Sequence, residues 1–113
     1  MTKIFLIAGE EAGDIHASNM IRQLRKLADF SLYGTGGHRL KELGQEQYFD
    51  ISQMTIIGLN EVVEKLPFIF KMFKILKQKL IEVNPDIVIL VDYPGFNLRF
   101  AEFAKSKGFK VLY

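Results

Sequence analysis

Carboxylates and glycines cluster in three short segments of this sequence, and apolar runs precede them. Asp92 ends the run Ile87-Val88-Ile89-Leu90-Val91 and is followed by Tyr93-Pro94-Gly95. A carboxylate at the end of such a strand, partly buried and fixed by the Pro and Gly beyond it, suits a general base. The same position equally suits a turn cap ahead of a helix beginning near Asn97. Gly9-Glu10-Glu11-Ala12-Gly13-Asp14 follows Ile4-Phe5-Leu6-Ile7-Ala8. Glycine admits a ligand close to the backbone, and free amides at the start of the next helix favour an anion. The loop's own carboxylates argue against a dianionic phosphate and for sugar hydroxyls; the alternative is a solvated turn with Asp14 as the helix cap. Gly34-Thr35-Gly36-Gly37-His38-Arg39 carries part of a dinucleotide fingerprint. Arg39 stands where the third Gly belongs, and the segment follows the second strand rather than the first. Arg39 fits either an anion contact or a surface position on a short helix. His16, one turn into the first helix, points toward the same edge; a lone His is more often packed or partly exposed than a ligand.

The elements that must position these residues follow from periodicity. Ile4–Ala8 predicts a strand buried on both faces. A helix follows from Asp14, with Ala17, Met20, Ile21, Leu24 and Leu27 at helical spacing. Leu32-Tyr33 belongs to a second strand, 34–37 to a turn, and Arg39 to Leu43 to a short helix closed by Gly44. Gln47 to Asp50 fits a third strand. Gly58 to Leu66 reads as a helix interrupted near Pro67, which then opens a second helix running to about Val83. Asn84-Pro85 stops it, Ile87–Val91 is the strongest strand, and a helix capped by Asn97 runs to about Lys107. Lys110 to Tyr113 starts a fifth strand. This alternation predicts an α/β, Rossmann-like, mostly parallel sheet of about five strands with helices on both faces. Loops that follow parallel strands share one edge, where ligands sit in such sheets. Segments 9–14, 34–37 and 92–97 are therefore expected to be neighbours. No helix follows the last strand, so the sequence reads as part of a larger fold.

Composition narrows the chemistry. The chain has 113 residues, 15 Lys+Arg against 13 Asp+Glu, a net charge of +2 and no Cys. That length fits one domain and excludes a two-lobed enzyme within this chain alone. Without Cys there are no disulfides, thiolate nucleophiles or Cys-bound zinc. His16 and His38 are too few for a His-built metal site, and the small net charge does not suggest nucleic acid. No apolar run approaches the roughly 20 residues of a membrane span, and the N-terminus is a poor signal peptide. Segment 62–83 stands apart. Between Leu66 and Leu76 its only charges are Lys71 and Lys74. Leu66, Phe68, Ile69, Phe70, Met72, Phe73, Ile75 and Leu76 cover an arc of roughly 240° on a helix. Packing on one sheet needs less. The surplus must meet the preceding helix folded back, a partner, or an anionic membrane surface, for which Phe with flanking Lys is suited.

Taken together, Ala8–Asp14, Gly34–Arg39, Ile57-Gly58-Leu59-Asn60-Glu61-Val62 and Val91-Asp92-Tyr93-Pro94-Gly95-Phe96-Asn97 resemble the N-terminal domain of the lipid-A-disaccharide synthase family, in order and separation. The resemblance implies a GT-B enzyme with two Rossmann-like lobes, of which residues 1–113 are the acceptor-side lobe, inactive without the donor lobe. It implies transfer from UDP-2,3-diacylglucosamine to a 2,3-diacylglucosamine 1-phosphate acceptor with inversion and release of UDP, no metal, and no cofactor beyond the UDP-sugar donor. Asp92 matches the family's essential aspartate, the general base. Glu10, Gly13 and Asp14 match the first motif, Gly36, Gly37 and Arg39 the second, Glu61 the third, and Phe96 and Asn97 the end of the fourth; His16 joins this substrate-binding set. Ala12 replaces the usual Ser, His38 the usual Pro, and Gly95 a second Asp. The resemblance further implies a peripheral enzyme on the inner face of the inner membrane of a Gram-negative bacterium. Leu66, Phe68, Ile69, Phe70, Phe73, Lys71 and Lys74 would face the lipid, with Lys65 beside them. Exposure of sheet elements in a lone lobe makes a homo-oligomer a further expectation. Three other readings compete. They are a flavodoxin-like nucleotide or flavin module, a phospho-receiver with Asp92 as acceptor, and a module that binds only membranes or a partner.

Overall fold

A computed structural model describes residues 1–54 and 59–113, and the side chains outside 55–65. The chain runs β1 (Thr2–Ala8), α1 (Glu11–Arg25), β2 (Phe30–Gly36), α2 (His38–Glu42), β3 (Glu46–Asp50), α3 (Ile51–Met54), α4 (Leu59–Val83), β4 (Ile87–Val91), α5 (Pro94–Ser106) and β5 (Val111–Leu112). The strands form one five-stranded sheet in the order β3-β2-β1-β4-β5, and every pairing is parallel. The α/β, Rossmann-like architecture expected from the alternation is the one observed.

Alternation along β1 divides the core. Ile4, Leu6 and Ala8 face α1 with Ala17, Ile21, Leu32 and Leu40. Phe5 and Ile7 face α4 and α5 with Met72, Leu76, Leu80, Phe96 and Phe100. Both faces of the strand are thus covered, which is why its run is uninterrupted by polar residues. Chain order reverses between β1 and β4: β2 and β3 extend the sheet one way and β4 and β5 the other. A sheet wound in this order opens a crevice at the carboxyl ends of the two strands flanking the reversal.

Several local expectations are corrected. Helix α1 starts at Glu11 with Glu10 as N-cap, not at Asp14, and ends at Arg25, leaving Leu27 83% exposed. Residues 34–36 are not a turn but the end of β2. They pair with Leu6 and Ile7 on one side and with β3 on the other, with an irregularity between Gly34 and Thr35. Buried Gln45 repairs that irregularity, its Nε2 donating to the carbonyls of Leu6 (3.2 Å) and Thr35 (3.1 Å). Helix α4 is continuous through Pro67 for 25 residues, so the segment before Pro67 does not fold back over the one after it. Proline removes a single helical hydrogen bond, and buried Met72, Leu76 and Leu80 anchor the helix beyond it. Helix α5 begins at Pro94 with Tyr93 as N-cap, not at Asn97.

Candidate functional site

The turns after β1, β2 and β4 meet, and two contacts weld them. Asp14 is fully buried. Its Oδ1 accepts from the backbone N–H of Gly37 (2.7 Å) and Leu40 (3.3 Å), and its Oδ2 from that of Arg39 (3.3 Å). Asp14 therefore caps α2 across space rather than its own helix. A side chain at residue 37 would put its Cβ 2.7 Å from Asp14 Oδ2, which explains the glycine there. On the other side, a Cβ on Gly9 would fall 2.6–2.8 Å from the Tyr93 ring. That bare backbone lets the aromatic ring of the β4 turn rest on the β1 turn.

Asp92 and Tyr93 both adopt left-handed backbone, each with φ of 51°. For non-glycine residues such a conformation costs about 1–3 kcal/mol each and persists only where the surroundings enforce it. Those surroundings are specific. Asn97, fully buried, donates from Nδ2 to the Asp92 carbonyl (2.8 Å) and the Val91 carbonyl (3.4 Å). Tyr93 donates its hydroxyl to the Met54 carbonyl (2.6 Å). Burial, with the charge of Glu10 as a smaller cause, raises the Tyr93 phenol above its ordinary pKa, so it stays a donor. Phe96 stacks with Phe100 (6.1 Å) and meets Phe73 edge-on (5.1 Å), anchoring the first turn of α5. The sequence did not single out Tyr93; the signal was there in an aromatic residue between a strand-end acid and a proline.

The result is a presented carboxylate. Asp92 is exposed, not partly buried as expected, because the left-handed backbone turns the chain out of the strand line. Its side chain makes no hydrogen bond or ion pair with a described residue. It lines a cleft of about 490 Å³ together with His16, Met20 and Tyr113. Of the other substrate-binding candidates, Glu10 and His16 are exposed and Arg39 is partly so, whereas Gly13, Asp14, Gly36, Gly37, Phe96 and Asn97 are buried and form the frame. Arg39 is paired with Glu11 and, at 3.3 Å, with Asp14. Two carboxylates on one guanidinium make it a poor site for a further anion. The side chain of Glu61 lies outside the described residues, as does that of Lys65. Among the described residues, no three His, Cys, Asp or Glu side chains are grouped to hold a metal ion.

The apolar segment divides into two roles. Phe68, Ile69 and Phe73 are half-buried and pack on the core. Phe68 meets Phe49 edge-on at 5.9 Å. Leu66 and Phe70 remain 39% and 68% exposed, and Lys71 and Lys74 are exposed beside them. No helix among the described residues is long and apolar enough to cross a membrane.

Comparison with known proteins identifies the family. Residues 4–113 match the family model described as lipid-A-disaccharide synthetase. Over 98% of its length the chain is 43% identical to the lipid-A-disaccharide synthase of Trichlorobacter lovleyi, covering 29% of that protein. It is 40% identical to lipid-A-disaccharide synthase 1 of Legionella pneumophila strain Lens over 99% of the chain and 30% of the relative. It is 41% identical to the lipid-A-disaccharide synthase of Nitrosococcus oceani over 97% of the chain and 29% of the relative. The chain thus spans about 30% of the length of these relatives, and with a family model matched along residues 4–113 it belongs to the lipid-A-disaccharide synthetase family.

Proposed function

We propose that this chain is the acceptor-side lobe of an inverting glycosyltransferase of lipid A synthesis, with Asp92 as its general base. In this reading Asp92 removes the proton from the 6-hydroxyl of a 2,3-diacylglucosamine 1-phosphate acceptor. The resulting oxygen attacks the anomeric carbon of UDP-2,3-diacylglucosamine from the face opposite the leaving group, and the bond to UDP breaks. A second lobe supplies the donor site. Among the exposed candidates, Glu10 and His16 bind acceptor hydroxyls, while Asp14, Gly37 and Asn97 hold the loops in place.

One observation carries the reading: a strained, exposed carboxylate without a described partner, held just beyond the carboxyl end of β4 in the cleft it shares with His16, Met20 and Tyr113. Strain at an acid kept open to solvent is a recurring property of working sites. The engagement of Arg39 by Glu11 and Asp14 speaks against a nucleotide or flavin phosphate at the second turn. In the complete enzyme, Asp92→Asn is expected to lower turnover by about 10²–10⁴-fold, the usual contribution of a positioned base, with acceptor binding retained. Turnover near that of the parent enzyme would remove Asp92 from the mechanism.

Both substrates carry acyl chains, so the enzyme must work at a lipid surface. Leu66 and Phe70 with Lys71 and Lys74 supply an apolar patch with cationic margins suited to anionic headgroups. In this reading the enzyme works as a peripheral protein on the inner face of the inner membrane.

A further inference from the structure

A groove of about 760 Å³ runs between α4 and α5 on the side of the sheet away from α1. Leu66, Ile69, Phe70 and Phe73 of α4 line one side, and Phe96 lies on the other. Its size falls within the roughly 300–1,000 Å³ of small-ligand sites. Tyr93, Pro94 and Gly95 form one end, so the groove begins at the residue following Asp92. We propose that this groove takes one acyl chain of a single lipid molecule whose sugar head lies at Asp92. The inference deepens the function proposed above and rests on it.

Three features select this occupant. The groove is continuous with the strained turn, so a molecule whose head reaches Asp92 can trail its tail directly between the helices. It is concave and walled by two elements, whereas a bilayer would meet a convex helix face. Its charged lining residues, Arg99 and Glu102, are opposite in sign, one helical turn apart, and in no ion pair with a described residue. Their net charge is zero, and their stems offer apolar surface. Such a wall suits a neutral chain better than a phosphate or a charged peptide. From Gly95 to Glu102 the wall measures about 10 Å along the helix axis, so the site accommodates a limited length of chain.

Alkyl glucosides from hexyl to dodecyl, kept below their micelle concentrations, test this with the 113-residue chain. Titration calorimetry and amide NMR shifts are the readouts. One-to-one saturable binding is expected, with shifts centred on Ile69, Phe73, Gly95 and Phe96. Affinity should rise about fourfold per added methylene and then level off once the groove is full. Gly95→Leu supplies the decisive variant, because a Cβ there meets no atom beyond its chain neighbours and its own helix backbone within 4 Å. The new side chain would fill the mouth and weaken binding more than tenfold, with the melting temperature maintained. Affinity that climbs without levelling, or that is unchanged in Gly95→Leu, would mean surface adsorption and overturn the proposal. So would an absence of binding, or a dimer through Phe70 that the glucosides do not dissociate. Asp92→Asn is expected to bind the glucosides with shifts at the same groove residues. Saturable binding alongside normal turnover of Asp92→Asn in the complete enzyme would keep the groove and discard the base; the reverse pair of results would do the opposite.

Discussion

Tyr93 and Gly9 form the contact on which the geometry of Asp92 depends. The ring occupies the space a methyl group on residue 9 would take. Gly9→Ala is therefore expected to destabilise the fold by about 1–3 kcal/mol through overpacking, read by urea denaturation. Combining it with Tyr93→Leu should cost less than the sum of the two single changes, since the ring that collides is gone. Strict additivity would show that the ring does not press on the first turn. At this scale the sequence was only partly legible. Asp92 was visible because a carboxylate ending a five-residue apolar run is chemically conspicuous. Its exposure was not, because it depends on a left-handed backbone enforced by Asn97 from six residues beyond Val91 and by Met54 from a distant element. Asp14 was read as a cap, and it is one, but for a helix that begins at His38.

That displaced cap makes α1 and α2 one mechanical unit. Helix α2 has only 5 residues, and Gly37 has no side chain to cap it. Three of its first backbone N–H groups rely on a residue from α1. Asp14→Ala is expected to cost roughly 3 kcal/mol, the penalty of leaving buried donors unpaired, and to raise amide exchange at Gly37, Arg39 and Leu40. Exchange that stayed at parental rates would show that the helix holds itself. The longer elements were legible for the opposite reason: β1, β4 and α1 are each dictated by local apolar periodicity. Pro67 misled because a proline reads as punctuation, yet α4 is held by Met72, Leu76 and Leu80 on the sheet regardless of one missing hydrogen bond. The end of β2 misled because glycines read as a turn, while parallel neighbours, on both sides for Gly34 and Thr35 and on the β3 side for Gly36, hold 34–36 in the sheet.

For the whole molecule, the same sheet separates two surfaces. The α1 face and the strand ends carry the polar site; the opposite face carries the groove and the exposed residues of α4. Because Phe73 packs on Phe96 and Phe100, charge introduced there would disturb the core. Leu66→Glu with Phe70→Glu confines the change to exposed positions. This pair is expected to reduce co-sedimentation with anionic vesicles several-fold while leaving the melting temperature within a few degrees. Unchanged co-sedimentation would separate the protein's lipid chemistry from this patch. The fold class was legible at this scale from alternation alone. The strand order was not, since nothing local in Ile87–Val91 states that it pairs with β1 rather than β3.

The Tyr93 hydroxyl meets a carbonyl 39 residues earlier in the chain, and its ring sits on residue 9. Contacts of that sequence separation close only after the intervening loops have been ordered, and long-range closures are the slow part of assembly. A nascent or partly unfolded chain would thus have every atom of its acid yet no shaped turn to aim it. The shape of that turn would arrive last, as a readout of finished folding.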